Sequence, residues 1–161
     1  MYDGSAEILL SSSLKQLSAA TLSSKWSAMM ASKQGPHNET AQVTIKNILI
    51  VEDDGNIAEL LVQTIAHETS YQVFAAPDAP QALELTKDIK PHLLVLDYGL
   101  PTMNGIELFD QLHIIEGLEQ VPTIMLSANI PFQEIRKRQI MYMRKPFDIN
   151  KLLETIHQLL A

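Results

Sequence analysis

The chain has 161 residues, 46% of them apolar and 19% charged, enough for one ordinary domain plus a tail and too apolar for wholesale disorder. It has no cysteine, which excludes disulfide staples, thiolate metal sites and a cysteine nucleophile. The net charge of −7 is uneven, +1 over residues 1–46 and −8 over residues 47–161, a balance that repels nucleic acid and favours cations.

Residues 1–42 form a serine-rich amino-terminal extension, with nine serines between Ser5 and Ser32 and a loop signal at Gln34-Gly35-Pro36-His37-Asn38. Ile8, Leu9, Leu10, Leu14, Leu17, Leu22, Trp26, Met29 and Met30 allow one or two weak amphipathic helices here. The alternatives for this segment are a mobile tail and a docked or dimerising helix, which makes a homodimer one of the expected assemblies. Asp3 and Glu7 precede the first positive charge at Lys15, unlike a signal peptide, and no apolar run approaches the roughly 18 residues of a membrane span. A cytoplasmic protein with no membrane partner is expected.

From Asn47 onward strand and helix signals alternate. Asn47–Val51 is a short apolar run ending in Glu52-Asp53-Asp54, the signature of a strand buried on both faces. Ile57, Leu60, Leu61 and Ile65 follow helical spacing, Tyr71–Ala76 reads as a second strand, and Asp78 caps a helix carrying Ala82, Leu83 and Leu85. Leu93–Leu96 is a third buried strand ending at Asp97. A turn-rich loop, Tyr98–Asn104, then leads into a helix with Ile106, Leu108, Phe109 and Leu112. Val121–Leu126 is the fourth strand, ending at Ser127, and residues 131–138 have room for only a short helix. Ile140–Met143 is the fifth strand. Lys145-Pro146 follows it, and Asp148 caps a last helix with Leu152, Leu153, Ile156, Leu159 and Leu160. Such alternation predicts a doubly wound α/β domain with a parallel sheet and helices on both faces.

In a sheet of this kind ligands bind at the carboxyl ends of the strands. Those ends carry Asp53 and Asp54, Asp97, Ser127 and Lys145. Carboxylates a few ångströms apart repel by about 1–4 kcal/mol per pair, so the cluster calls for a cation, and oxygen-only ligands select a hard one such as Mg²⁺. The five histidines (37, 67, 92, 113 and 157) show no metal-ligand spacing, and Arg136-Lys137-Arg138 reads as a solvated helix face rather than a dock for an acidic partner. No P-loop, nucleophile-elbow or zincin motif occurs.

Glu52-Asp53-Asp54, Leu96-Asp97 with Leu100-Pro101 and Met103-Asn104-Gly105, Ser127-Ala128, and Lys145-Pro146-Phe147 together resemble the receiver domain of two-component response regulators. The resemblance covers residues 46–161. It implies a flavodoxin-like five-stranded sheet of order 2-1-3-4-5 with a shortened fourth helix, since the stretch from Ser127 to Lys145 is shorter than the family's. It further implies that Asp97 is a phosphoacceptor and that Mg²⁺ is held by Asp53, Asp54, Asp97 and the backbone carbonyl of Gly99. Lys145 would pair with the phosphoryl group, Ser127 would hydrogen-bond to it, and Ser127 and Tyr142 would form the switch pair. The Lys145–Pro146 bond would be cis. The implied partners are a histidine kinase or histidine phosphotransfer protein and an unnamed downstream protein.

As no segment follows the last helix, a stand-alone receiver in a phosphorelay is expected, catalysing only its own phosphorylation and dephosphorylation. The alternative is a scaffold or dimerisation module that keeps the fold without phosphate chemistry. A phosphatase acting on external substrates would need a general acid two residues after the nucleophile, where Gly99 stands.

Overall fold

Alternation within the strands builds the domain. In β1 (Asn47–Val51) Ile48 and Ile50 face one side, while Leu49 and Val51 face the other, and all four are fully buried. The computed structural model describes residues 44–129 and 131–161, so the serine-rich segment 1–42 and its expected helices lie outside the described residues. The remaining strands are β2 (Gln72–Ala76), β3 (Leu93–Asp97), β4 (Thr123–Ser127) and β5 (Met141–Arg144). They form one parallel sheet of order β2-β1-β3-β4-β5, as expected from the alternation and the resemblance.

The helices are α1 (Gly55–Glu68), α2 (Ala79–Asp88), α3 (Gly105–Leu112), α4 (Phe132–Lys137) and α5 (Ile149–Leu160). Ile48, Ile50, Leu93, Val95, Ile124 and Leu126 pack with Leu61 and Ile65 of α1 and Leu152, Ile156 and Leu160 of α5. On the opposite face Leu49, Val51, Leu94, Leu96 and Met125 meet Ala79 and Ala82 of α2, Leu108 and Leu112 of α3, and Ile135 of α4. Burying these side chains removes their apolar surface from water, worth about 1.5–3 kcal/mol for each large aliphatic group. β1 lies second from one edge of the sheet; the chain steps outward to β2, then crosses back to β3 on the other side of β1. The neighbouring ends of β1 and β3 are therefore a topological switch point, where a crevice opens.

Some boundaries differ from expectation. β4 starts at Thr123 rather than Val121, and β5 runs Met141–Arg144 rather than from Ile140. Ile140 donates its N–H to the Ile135 carbonyl at the exit from α4 (3.1 Å), and so is unavailable to the ladder. Among the described residues no helix is long and apolar enough to cross a membrane.

A close approach fixes α3 under the end of β3. The Gly105 N–H donates to the Tyr98 carbonyl at 2.9 Å. A Cβ at Gly105 would lie 2.5 Å from the Asp97 carbonyl oxygen and 2.7 Å from Met125 Sδ. Gly105→Ala should destabilise the domain by about 1–3 kcal/mol, because main chain rather than a flexible tip must yield. A urea midpoint that stays in place would contradict this.

Candidate functional site

Four side chains converge beyond the ends of β1, β3 and β5. Carboxylate oxygens of Glu52, Asp53 and Asp97 all lie within 4.8 Å of one another. Lys145 Nζ donates to Glu52 Oε2 at 2.7 Å and lies 3.2 Å from Asp97 Oδ1. Asp97 ends β3, and main-chain bonds to the sheet place Glu52 and Lys145. The Glu52 N–H extends the ladder by donating to the Ala76 carbonyl, and the Lys145 N–H donates to the Ser127 carbonyl at 2.9 Å, tying the lysine to the end of β4. The Lys145–Pro146 peptide bond is cis.

Asp54, expected among the metal ligands, has a different task. Its Oδ1 accepts from the N–H groups of Asn56 (2.9 Å) and Ile57 (3.2 Å), which makes it the N-cap of α1. The residue that joins Asp53 and Asp97 is instead Glu52, which is 2% exposed. Both of its oxygens are engaged, Oε1 by the Asp54 N–H at 3.3 Å and Oε2 by Lys145. The position was readable: a carboxylate contiguous with a fully buried strand is itself buried, and an Asp immediately before Gly-Asn fits an N-cap.

Ser127 and Tyr142 stand outside the cluster. The Ser127 hydroxyl donates to the Asn129 carbonyl at 2.6 Å and accepts from the Asn129 N–H at 3.2 Å, so its proton is used inside its own loop. Tyr142 is 42% exposed and meets Phe132 of α4 edge-on, with ring centroids 5.4 Å apart. Gly99 is exposed two residues past Asp97, and a Cβ there would meet only Asp97 Oδ2, at 3.6 Å. The backbone at Gly99 therefore flanks the carboxyl of Asp97 and leaves space over it.

Burial raises the pKa of Glu52, the bond from Lys145 opposes that rise and the charge of Asp97 adds to it. Burial also pulls Lys145 down, but its bond to Glu52 and the charges of Glu52 and Asp97 outweigh this, and the ammonium titrates above the ordinary lysine value. Because Glu52 binds its proton more tightly folded than unfolded, its contribution to stability is full below the ordinary value of 4.5 and is lost as pH rises through the raised one. Glu52→Gln removes that slope. In metal-free buffer the variant should gain stability relative to wild type as pH climbs above 4.5, measured by paired urea titrations. A constant difference across that window would contradict the assignment.

Three carboxylates facing one ammonium leave an excess of two negative charges, with Glu52 and Asp97 buried and Asp53 exposed at the open side. An all-oxygen donor set with that excess fits a hard divalent cation. Asp53 and Asp97 offer the freer oxygens, since both oxygens of Glu52 are occupied.

The profile of the response regulator receiver domain matches residues 48–157. The chain belongs to the response regulator receiver family. Over 119 residues this receiver is 29% identical to sporulation initiation phosphotransferase F of Bacillus subtilis, spanning 71% of the chain and 94% of that protein. It is 30% identical over 119 residues to the sensor histidine kinase TmoS of Ectopseudomonas mendocina, but spans only 12% of that kinase. With the DNA-binding response regulator MtrA of Mycobacterium tuberculosis it shares 30% identity over 115 residues, or 49% of MtrA. In both cases the likeness is confined to one part of a longer protein. Among solved structures, a CheY-like receiver domain protein from Methanospirillum hungatei superposes with a TM-score of 0.66 at 28% identity, covering 73% of this chain and 94% of that one. Chemotaxis protein CheY4 of Vibrio cholerae, at 24% identity and TM-score 0.66 with coverage of 72% and 99%, shares the fold.

Proposed function

We propose that Asp97 accepts a phosphoryl group from a phosphohistidine on a histidine kinase or phosphotransfer protein, and that the resulting acyl phosphate biases the binding of a downstream protein. The observation that carries this reading is the Lys145 ammonium resting on both Glu52 and Asp97 within a cluster of three carboxylates. A carboxylate oxygen of Asp97 attacks phosphorus, the N–P bond of the donor breaks, and the imidazole leaves with the electron pair and takes up a proton. Hydrolysis of the acyl phosphate returns the aspartate.

Mg²⁺, held by Asp53, Asp97 and the Gly99 carbonyl beside Glu52, would supply charge neutralisation for the phosphoryl oxygens. Lys145 can stay paired with Glu52 while following a phosphoryl oxygen on Asp97, so one positive charge serves both states of the site. Engaging the Ser127 hydroxyl with the phosphoryl group requires giving up its bond to the Asn129 carbonyl. Such an exchange links the chemistry to the loop that leads into α4. The domain catalyses only its own phosphorylation and dephosphorylation, in a cytoplasmic setting.

The test is intact mass after incubation with a small-molecule phosphodonor, with and without Mg²⁺. One added phosphoryl group that requires the metal is expected. No uptake under either condition would leave the phosphate-independent scaffold as the reading. Gly99 places no side chain over Asp97 and so leaves the acyl phosphate open to water. Gly99→Leu should therefore lengthen the phosphoryl lifetime, read as decay of the phosphorylated mass. An unchanged decay rate would show that water arrives by another route.

A further inference from the structure

Helix α4 lacks the devices that hold its neighbours. It has six residues, and Pro131 at its N-cap contributes no side-chain hydrogen bond. Asp54, Asp78, Asn104 and Asp148 cap the other four helices. A helix this short does not persist on its own propensity. At its far end the Ile140 N–H donates to the Ile135 carbonyl (3.1 Å) and the Gln139 N–H to the Arg136 carbonyl (3.3 Å), the Schellman arrangement. The left-handed position of that motif is filled by Gln139 at φ 56°, where glycine would sit without steric cost.

Two features offset these deficits. Ile135, 2% exposed, anchors the helix in the core beside Ile140. Arg138, the residue that ends α4, engages most of its guanidinium donors. Nε and Nη2 donate to the two carboxylate oxygens of Asp110 on α3, each at 2.7 Å. Nη1 donates to Glu134 Oε2 at 2.7 Å and to the Glu134 carbonyl at 3.2 Å. The bonds from Arg138 hold the carboxyls of Asp110 and Glu134 below the usual range. Planar, bidentate, charge-assisted pairing of this kind gives geometry as well as energy.

We propose that α4 is a conditionally ordered element latched onto α3 by Arg138, which opens and closes while the sheet and the carboxylate cluster stay intact. Opening carries Phe132 away from Tyr142, dismantling the aromatic pair exposed on this face. The latch thus sets how often that face is presented, whether or not Asp97 carries a phosphoryl group.

Native-state hydrogen exchange on the full chain tests this. In the wild type the amides of Glu134, Ile135 and Arg138 should exchange at least about 100-fold faster than those of β3 and β4. Arg138→Met and, separately, Asp110→Asn should each speed the α4 amides a further ~10-fold or more, with β1 and β3 unchanged. Gln139→Gly should slow the α4 amides several-fold. The proposal is overturned if wild-type α4 amides exchange at the rate of the strands. It is equally overturned if the latch variants leave α4 unchanged or accelerate the strands alike.

Discussion

Asp97→Asn should abolish phosphoryl uptake completely and leave the fold as stable as wild type, to within about 1 kcal/mol. The loss of uptake is chemical: an amide oxygen is too poor a nucleophile to displace the imidazole. The retention of stability is electrostatic. Asp97 is 7% exposed and lies within 4.8 Å of the Glu52 carboxylate. Two such charges repel by about 3.5–4 kcal/mol at an effective dielectric near 20, which offsets the pairing with Lys145 that the substitution gives up. Asparagine keeps an acceptor for the lysine and removes a like charge. Intact mass with the phosphodonor, alongside urea melts in chelator, measures both. Uptake that survives would place the phosphoryl group elsewhere, and a melt lowered by several kcal/mol would make Asp97 a structural residue.

Lys145→Ala, by contrast, should cost stability. Removing the ammonium strands Glu52, 2% exposed, and Asp97 as uncompensated neighbours. Breaking a buried pair from one side costs about 3–5 kcal/mol, and because Lys145 is itself 21% exposed the expected loss is nearer 2–3 kcal/mol at neutral pH in chelator. The deficit should shrink in two circumstances. Protonation of Glu52 at acid pH removes one of the stranded charges, and a millimolar divalent cation replaces the missing positive one. The double variant Glu52→Gln/Lys145→Ala should recover most of the loss. A deficit independent of pH and metal would mean that packing of the lysine stem, not its charge, holds the site.

Much of the architecture was legible before any coordinates, because each of β1, β3 and β4 is an uninterrupted apolar run closed by a polar residue. Such runs suit only a sheet covered on both faces, and their polar ends mark the working edge. The acidic cluster was legible for the same reason, but its membership has to be read from the helix start as well as from the acids. Glu52, Asp53 and Asp54 are three consecutive acids, and composition does not say which one the turn directs inward. The start of α1 decides it: Asp54 is consumed by the first free N–H groups of the helix, leaving Glu52 and Asp53 to face Asp97. Arg136-Lys137-Arg138 posed a similar ambiguity. Arg136 and Lys137 are exposed as a solvated face would be, whereas Arg138 reaches back to Asp110, a partner 28 positions away that no local pattern identifies. Gln139 was illegible for a related reason, since only the path of the backbone reveals a left-handed residue.

The strand that carries Asp97 has a further bearing on how the protein fails. All five residues of β3 are buried, and β1 and β4 flank it on either side. The carboxyl of Asp97, the proposed phosphoryl acceptor, therefore has no soft hinge beneath it. On warming, competence for the reaction and the cooperative structure should disappear at one temperature, with no inactive yet folded form preceding collapse.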